Sequence, residues 1–121
     1  MLILVAHGSR DPLWRDSLHS LTEEVGKRMP SEEVRLAFMQ FEGPTLPEVV
    51  EEAIQDGHRR FRLLPLFMAS AGHVDKDIKP LVTELVQNYP EVNLDLMIPV
   101  GEDDLFPRLI SEIFTASPAS R

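Results

Sequence analysis

The chain contains no cysteine. That absence excludes disulfides, thiolate metal sites and a cysteine nucleophile. A metal could be held only by imidazole, carboxylate, backbone oxygen or water. Positive charge is also short. Twelve Lys and Arg against 20 Asp and Glu leave a formal net charge of −8. Such a surface repels nucleic acid, so none is expected as a partner. A strongly anionic ligand would have to be met by a local basic patch, against the overall field. No apolar run is long enough to span a bilayer. The amino terminus lacks the basic region of a signal peptide, and Leu2–Ala6 is too short for its apolar core. The expected location is therefore cytoplasmic, with no membrane partner. Neither a GxGxxG nor a P-loop pattern is present, and Ser9 has no nucleophile-elbow context.

What is present is an ordinary globular balance, 43% apolar and 26% charged residues in 121. That length suits one domain, expected over residues 1–115 with a flexible tail at 116–121. The hydrophobic pattern alternates between strand-like and helix-like stretches. Leu2–Ala6 reads as a buried strand. Leu13–Met29 reads as a helix with Trp14, Leu18, Leu21 and Val25 on its buried face. Val34–Phe41 is a second strand. Thr45 then caps a helix in a capping box with Glu48, and Gly57 suits the left-handed position at its end. Phe61–Phe67 is a third strand, with Pro65 hinting at a bulge or an early end to pairing. A third helix begins near Asp77, with Ile78, Leu81, Val82, Leu85 and Tyr89 inward. Val92–Val100 and Leu105–Phe114 supply a fourth strand and helix.

A βαβαβαβα order with helical crossovers forces parallel pairing and right-handed connections. The expectation is a small doubly wound, flavodoxin-like α/β domain: a four-stranded parallel sheet, order 2-1-3-4, with helices on both faces. In such sheets ligands bind beyond the carboxyl ends of the strands, where the order reverses. That point lies between strands 1 and 3. His7 ends strand 1, and His73 follows strand 3 after Ala69-Ser70-Ala71-Gly72. Each histidine has a glycine beside it, and the pair is expected to converge on the switch point. Imidazole suits Co, Ni, Fe and Zn. Two histidines fall short of the four ligands of a structural zinc site, so an open, transient metal site fits better. Arg10, Arg15, Lys76 and Lys79 lie near the two histidine loops, where they could meet carboxylates on a ligand. His19 and His58 read as surface residues. The acidic run Glu48, Glu51, Glu52 and Asp56 reads as a solvated helix face.

Three stretches carry a family pattern: "LVAHGSRDP", "FMQFEGPTLPEVVEEAIQDG" and "LLPLFMASAGHVDKDIKP". Together they resemble the class II chelatases, in particular the short sirohydrochlorin cobaltochelatases and their ferrochelatase and nickel-chelatase relatives. The resemblance runs through "PVGEDD", before the last helix. It implies insertion of a divalent metal into a polycarboxylate tetrapyrrole without ATP, as in cobalamin or siroheme synthesis. The metal, Co²⁺, Fe²⁺ or Ni²⁺, is a substrate, and no organic cofactor is implied. His7 and His73 match the family's metal-binding histidines, which would also accept the pyrrole protons. Ser9, Arg10, Gly72 and Lys76 are the implied substrate-binding residues, and Phe41, Phe67 and Met68 are candidate walls. The implied assembly is a homodimer that completes the cleft. Where the family often has Glu in strand 2, this chain has Gln40. Glu42 lies two residues on, on the same side of a continuing strand, and is expected to take over part of an auxiliary acid/base role. The rival expectations are a non-catalytic metal or tetrapyrrole carrier of the same fold and, more remotely, an anion-binding domain built on the Gly8-Ser9 turn.

Overall fold

The computed structural model describes residues 1–69, 72 and 74–116. Four strands form one parallel sheet: β1 (Leu2–Ala6), β2 (Val34–Phe38), β3 (Arg60–Pro65) and β4 (Asn93–Leu96), in the order β2-β1-β3-β4. Between and after them run α1 (Pro12–Arg28), α2 (Leu46–Gln55), α3 (Lys79–Asn88) and α4 (Leu105–Ala116). The sheet order is the one expected, and it puts the carboxyl ends of β1 and β3 side by side at the switch point.

Alternation along β1 separates two cores. Ile3 and Val5 point to one side, into a cluster with Val49, Val50 and Ala53 of α2 and Leu85 of α3. Leu4 and Ala6 point to the other, against Leu18 of α1, Leu36 and Phe38. The capping box at Thr45 is formed: the Thr45 N–H donates to Glu48 Oε1 at 2.8 Å, and the Glu48 N–H to Thr45 Oγ1 at 3.4 Å. Gly57 has φ +100°, the left-handed value required to end α2.

Several boundaries differ from the sequence expectation. β2 stops at Phe38, because Phe41 takes φ +69° and turns the chain. Pairing of β3 ends at Pro65, which brings no amide hydrogen to the ladder. β4 stops at Leu96, and a 3-10 turn, Val100–Glu102, follows Pro99. A π-helical turn, Val74–Ile78, precedes α3. Helix α4 runs on through Ala116, the first residue assigned to the tail; 117–121 lie outside the described residues. On α1 only Leu18 is buried and Val25 half-buried, while Trp14 and Leu21 remain exposed. That helix packs chiefly on the edge strand β2. Among the described residues no helix is long and apolar enough to cross a membrane.

Candidate functional site

The site grows from the end of β1. Strand pairing with β2 continues past both strand ends: the Met39 N–H donates to the Ala6 carbonyl at 2.8 Å and the Gln40 N–H to the His7 carbonyl at 3.0 Å. Gly8 follows with φ +88°, and a Cβ there would collide with the carbonyl oxygen of Gln40. Only glycine fits that close backbone approach. Gly8 is thus a packing requirement of the join between the two loops.

The next residues extend the join between the loops. The Ser9 N–H donates to Glu42 Oε2 at 3.0 Å. Ser9 Oγ accepts the Asp11 N–H at 3.1 Å, and Asp11 Oδ1 caps α1 through the Leu13 N–H at 3.0 Å. The Arg10 guanidinium lies 4.9 Å from the centroid of the Phe41 ring, a cation–π contact between two exposed side chains.

From the β3 side, the Leu66 N–H donates to the Val5 carbonyl at 2.8 Å and carries the chain to Phe67. The buried Phe67 ring stacks on the His7 imidazole, centroids 4.1 Å apart and planes 19° apart. That stacking restricts the orientation of His7. The Gly101 N–H donates to the Phe67 carbonyl at 3.0 Å, and Gly101 packs so closely on the Met68 backbone that a Cβ has no room. The loop after β4 thereby braces the loop after β3.

His7, Met39, Gln40, Lys76, Asp77, Pro80 and Leu81 line a cleft of about 410 Å³. It sits where α/β sheets bind ligands, at the carboxyl end of the sheet. Two larger grooves, about 640 and 530 Å³, lie on the opposite face of the sheet and do not reach His7.

Of the residues singled out from the sequence, the cleft gathers His7, Gln40 and Lys76. Gly72 stands beside it with φ +86°, its carbonyl accepting the Lys76 N–H at 2.8 Å. Ser9 and Arg10 lie on the neighbouring rim with Phe41. His73 falls outside the described residues. Glu42 is not on the cleft wall. With β2 ended at Phe38 and φ +69° at Phe41, strand alternation does not extend to residues 40 and 42 and places neither of them. The Glu42 carboxylate turns to Ser9, and its Oε1 is buried with no hydrogen-bond partner among the described residues. No periodicity reports the His7–Phe67 stacking or the Arg10–Phe41 contact. Both join loops that follow different strands, and Phe41 is set by its left-handed φ.

Other charged residues serve the fold. Glu33 receives Arg35 at 2.8 Å and His58 at 2.7 Å, and Arg35 also reaches Asp56 at 3.2 Å. The Arg35 hydrogen bond holds the Glu33 carboxyl below its ordinary value. This network precedes β2 and β3, at the amino end of the sheet, opposite the cleft. His58 is therefore a half-buried partner of Glu33 rather than a plain surface residue. Glu48 and Asp56, grouped with a solvated face from the sequence, have partners of their own in the capping box and with Arg35. His19 is exposed, as expected.

The CbiX family model matches residues 1–116. The chain belongs to the CbiX family. It is 36% identical over 88 residues to the sirohydrochlorin cobaltochelatase of Methanocaldococcus jannaschii, a match covering 73% of this chain and 62% of that one. It is 25% identical over 111 residues to the sirohydrochlorin ferrochelatase of Priestia megaterium, covering 92% of this chain and 42% of that one. The chain thus spans less than two thirds of the length of these curated relatives. Among solved structures, a CbiX protein from Marinobacter aquaeolei VT8 superposes with a TM-score of 0.82 at 28% identity, covering 94% of this chain and 92% of that one.

Proposed function

We propose that the protein inserts a divalent metal, Co²⁺, Fe²⁺ or Ni²⁺, into a sirohydrochlorin-like tetrapyrrole, without ATP and as a homodimer. The observation that carries this reading is His7 at the switch point, its ring held against Phe67 in a cleft open to solvent. Insertion must strip water from the ion, deliver it to four pyrrole-type nitrogens and remove two N–H protons. A neutral imidazole can ligate the ion and, once the ion is handed over, accept a proton. Among the described residues, no three His, Asp or Glu side chains come together as a metal cage. Ligation by two histidines alone would suit an ion that has to leave again.

His7 and His73 are assigned to metal binding and proton acceptance. Met39 and Leu81 offer apolar wall to the macrocycle face, and Lys76 and Arg10 offer cations to its carboxylates. Ser9 and Gly72 shape the loops on either side. Gln40, in the cleft, can donate or accept hydrogen bonds but cannot act as a carboxylate base. Glu42, turned to Ser9, supports the loop rather than the proton transfer. The names of the relatives in the cobaltochelatase and ferrochelatase groups support this substrate class.

Gln40 also favours one rival, a carrier that binds metal or tetrapyrrole without turnover. The two separate in one experiment. The protein is incubated anaerobically with excess sirohydrochlorin and Co²⁺, Fe²⁺ or Ni²⁺, and the macrocycle absorbance is followed. A chelatase metallates many equivalents faster than the spontaneous reaction. A carrier stops at one equivalent per site or leaves the rate unchanged.

A further inference from the structure

Phe41 stands where the fold gives no reason for an aromatic side chain. Its φ is +69°, in the left-handed region where a bulky residue is an outlier and glycine or asparagine is strained least. The residue is 58% exposed and belongs to neither core. Its ring meets the Arg10 guanidinium at 4.9 Å, a contact between two exposed side chains and therefore a weak one. Glycine at this position would relieve the backbone and remove exposed apolar surface. The strain is held from both sides. The Gln40 N–H donates to the His7 carbonyl at 3.0 Å, and Glu42 accepts the Ser9 N–H at 3.0 Å. Phe41 lies between these two ties, and Arg10 follows the second on the facing loop. Strained residues persist where their neighbours over-determine them, and they concentrate at ligand sites. Gln40 lines the His7 cleft, so Phe41 is one residue outside it, at its lip.

We propose that Phe41 and Arg10 form a subsite for the tetrapyrrole at the lip of the cleft, with the Phe41 ring stacked on the macrocycle and Arg10 paired with one of its peripheral carboxylates. The identity of the ligand rests on the proposed function. The pair suits that ligand in both parts. A phenyl ring offers flat apolar surface and stacks in an offset arrangement on another π-system. A guanidinium lying against the ring sets its N–H fork beside the same surface, where carboxylates project from the rim of a macrocycle. The formal charge of −8 opposes the approach of a polycarboxylate, so a cation fixed at the lip favours it locally. Phe67 does not supply this surface, because it is buried against His7. The exposed and strained Phe41 is thus a residue kept for a ligand rather than for the fold.

Titration of the full chain with metal-free sirohydrochlorin, followed by the fluorescence of the macrocycle, tests it alongside thermal unfolding. Phe41→Gly is expected to unfold at or above the wild-type temperature and to bind roughly tenfold more weakly, the scale of one aromatic stacking contact. Phe41→Tyr keeps the ring and should bind within about twofold of wild type. Arg10→Gln should also bind more weakly, and its affinity should fall less as salt is added. A Phe41→Gly protein that binds like wild type overturns the proposal. So does a Phe41→Tyr protein as weak as Phe41→Gly, or an Arg10→Gln protein with wild-type affinity and salt dependence. A clear fall in the melting temperature of Phe41→Gly would assign the ring to the fold and overturn it as well. Failure of the proposed function looks different. A wild type that binds no sirohydrochlorin removes the substrate class and the subsite with it, whereas a wild type that binds it no better than Phe41→Gly removes the subsite alone.

Discussion

The Ser9 amide donates to the Glu42 carboxylate at 3.0 Å, across 33 residues of sequence, and so ties the loop after β1 to the loop after β2. The same two loops are joined by the Gln40-to-His7 backbone bond and by Arg10 over Phe41. His7 therefore stands at the root of a braced segment. Replacing Glu42 by Ala leaves the Ser9 amide without its acceptor, at a cost of about 1–3 kcal/mol if water does not replace it. Thermal unfolding should show that loss. Glu42→Gln keeps a carbonyl oxygen that can accept the same bond, so most of the stability and the metallation rate should survive. A large fall in rate for Glu42→Gln in a protein of normal stability would return the acid/base role to that carboxylate.

Gln40→Glu places a carboxylate in the cleft beside His7 and Lys76. The side chain is exposed, so stability should change by no more than about 0.5 kcal/mol. The metallation rate should rise, because a group able to take a proton now faces the reaction. Steady-state rates with each metal check this, and an unchanged rate with all of them would show that the histidines need no carboxylate.

Gly8→Ala should be among the most damaging single changes near the site. The new methyl meets the Gln40 carbonyl and the backbone holds φ +88°, a conformation costly for any L side chain. A loss on the order of 2 kcal/mol follows from such strain. Since Gln40 holds the His7 carbonyl, activity should fall as well. A fully stable, fully active Gly8→Ala protein would mean that the two loops are not packed as described.

At the other end of the sheet, Arg35 holds the Glu33 carboxyl below its ordinary value of 4.5. The folded state then binds fewer protons at Glu33 than the unfolded state. Its contribution is complete above the ordinary carboxylate range and is lost as pH falls through the lower folded value. Because the pair is partly exposed, the gain is about 0.2–1 kcal/mol. Glu33→Gln should lower the melting temperature at neutral pH, with the gap to wild type closing as the medium is acidified below that range. A gap that stays constant with pH would assign the effect to packing.

The sheet order and the switch point were legible in the sequence because they rest on long periodic signals. Ile3 and Val5 alternate cleanly with Leu4 and Ala6, and the Thr45–Glu48 box marks a helix start by itself. The histidine at the end of β1 was legible for the same reason: strand order alone places His7 at the crevice. The details around it were not. Strand ends depend on single residues such as Phe41, whose positive φ no periodicity reports. The side-sharing of Gln40 and Glu42 was inferred from a strand that had already ended. Trp14 and Leu21 have the spacing of a buried face, yet burial also needs a neighbour, and among the described residues none covers that flank of α1.

The central claim is catalysis at His7, and one comparison addresses it most directly. Metallation of sirohydrochlorin by Co²⁺ is followed under anaerobic conditions with wild type, with His7→Ala and without protein. The account predicts many turnovers above the spontaneous rate for wild type, and a return to the spontaneous rate for a His7→Ala protein with wild-type circular dichroism. A wild-type protein that does not exceed the spontaneous rate with Co²⁺, Fe²⁺ or Ni²⁺, or a His7→Ala protein that keeps the full rate, would contradict it.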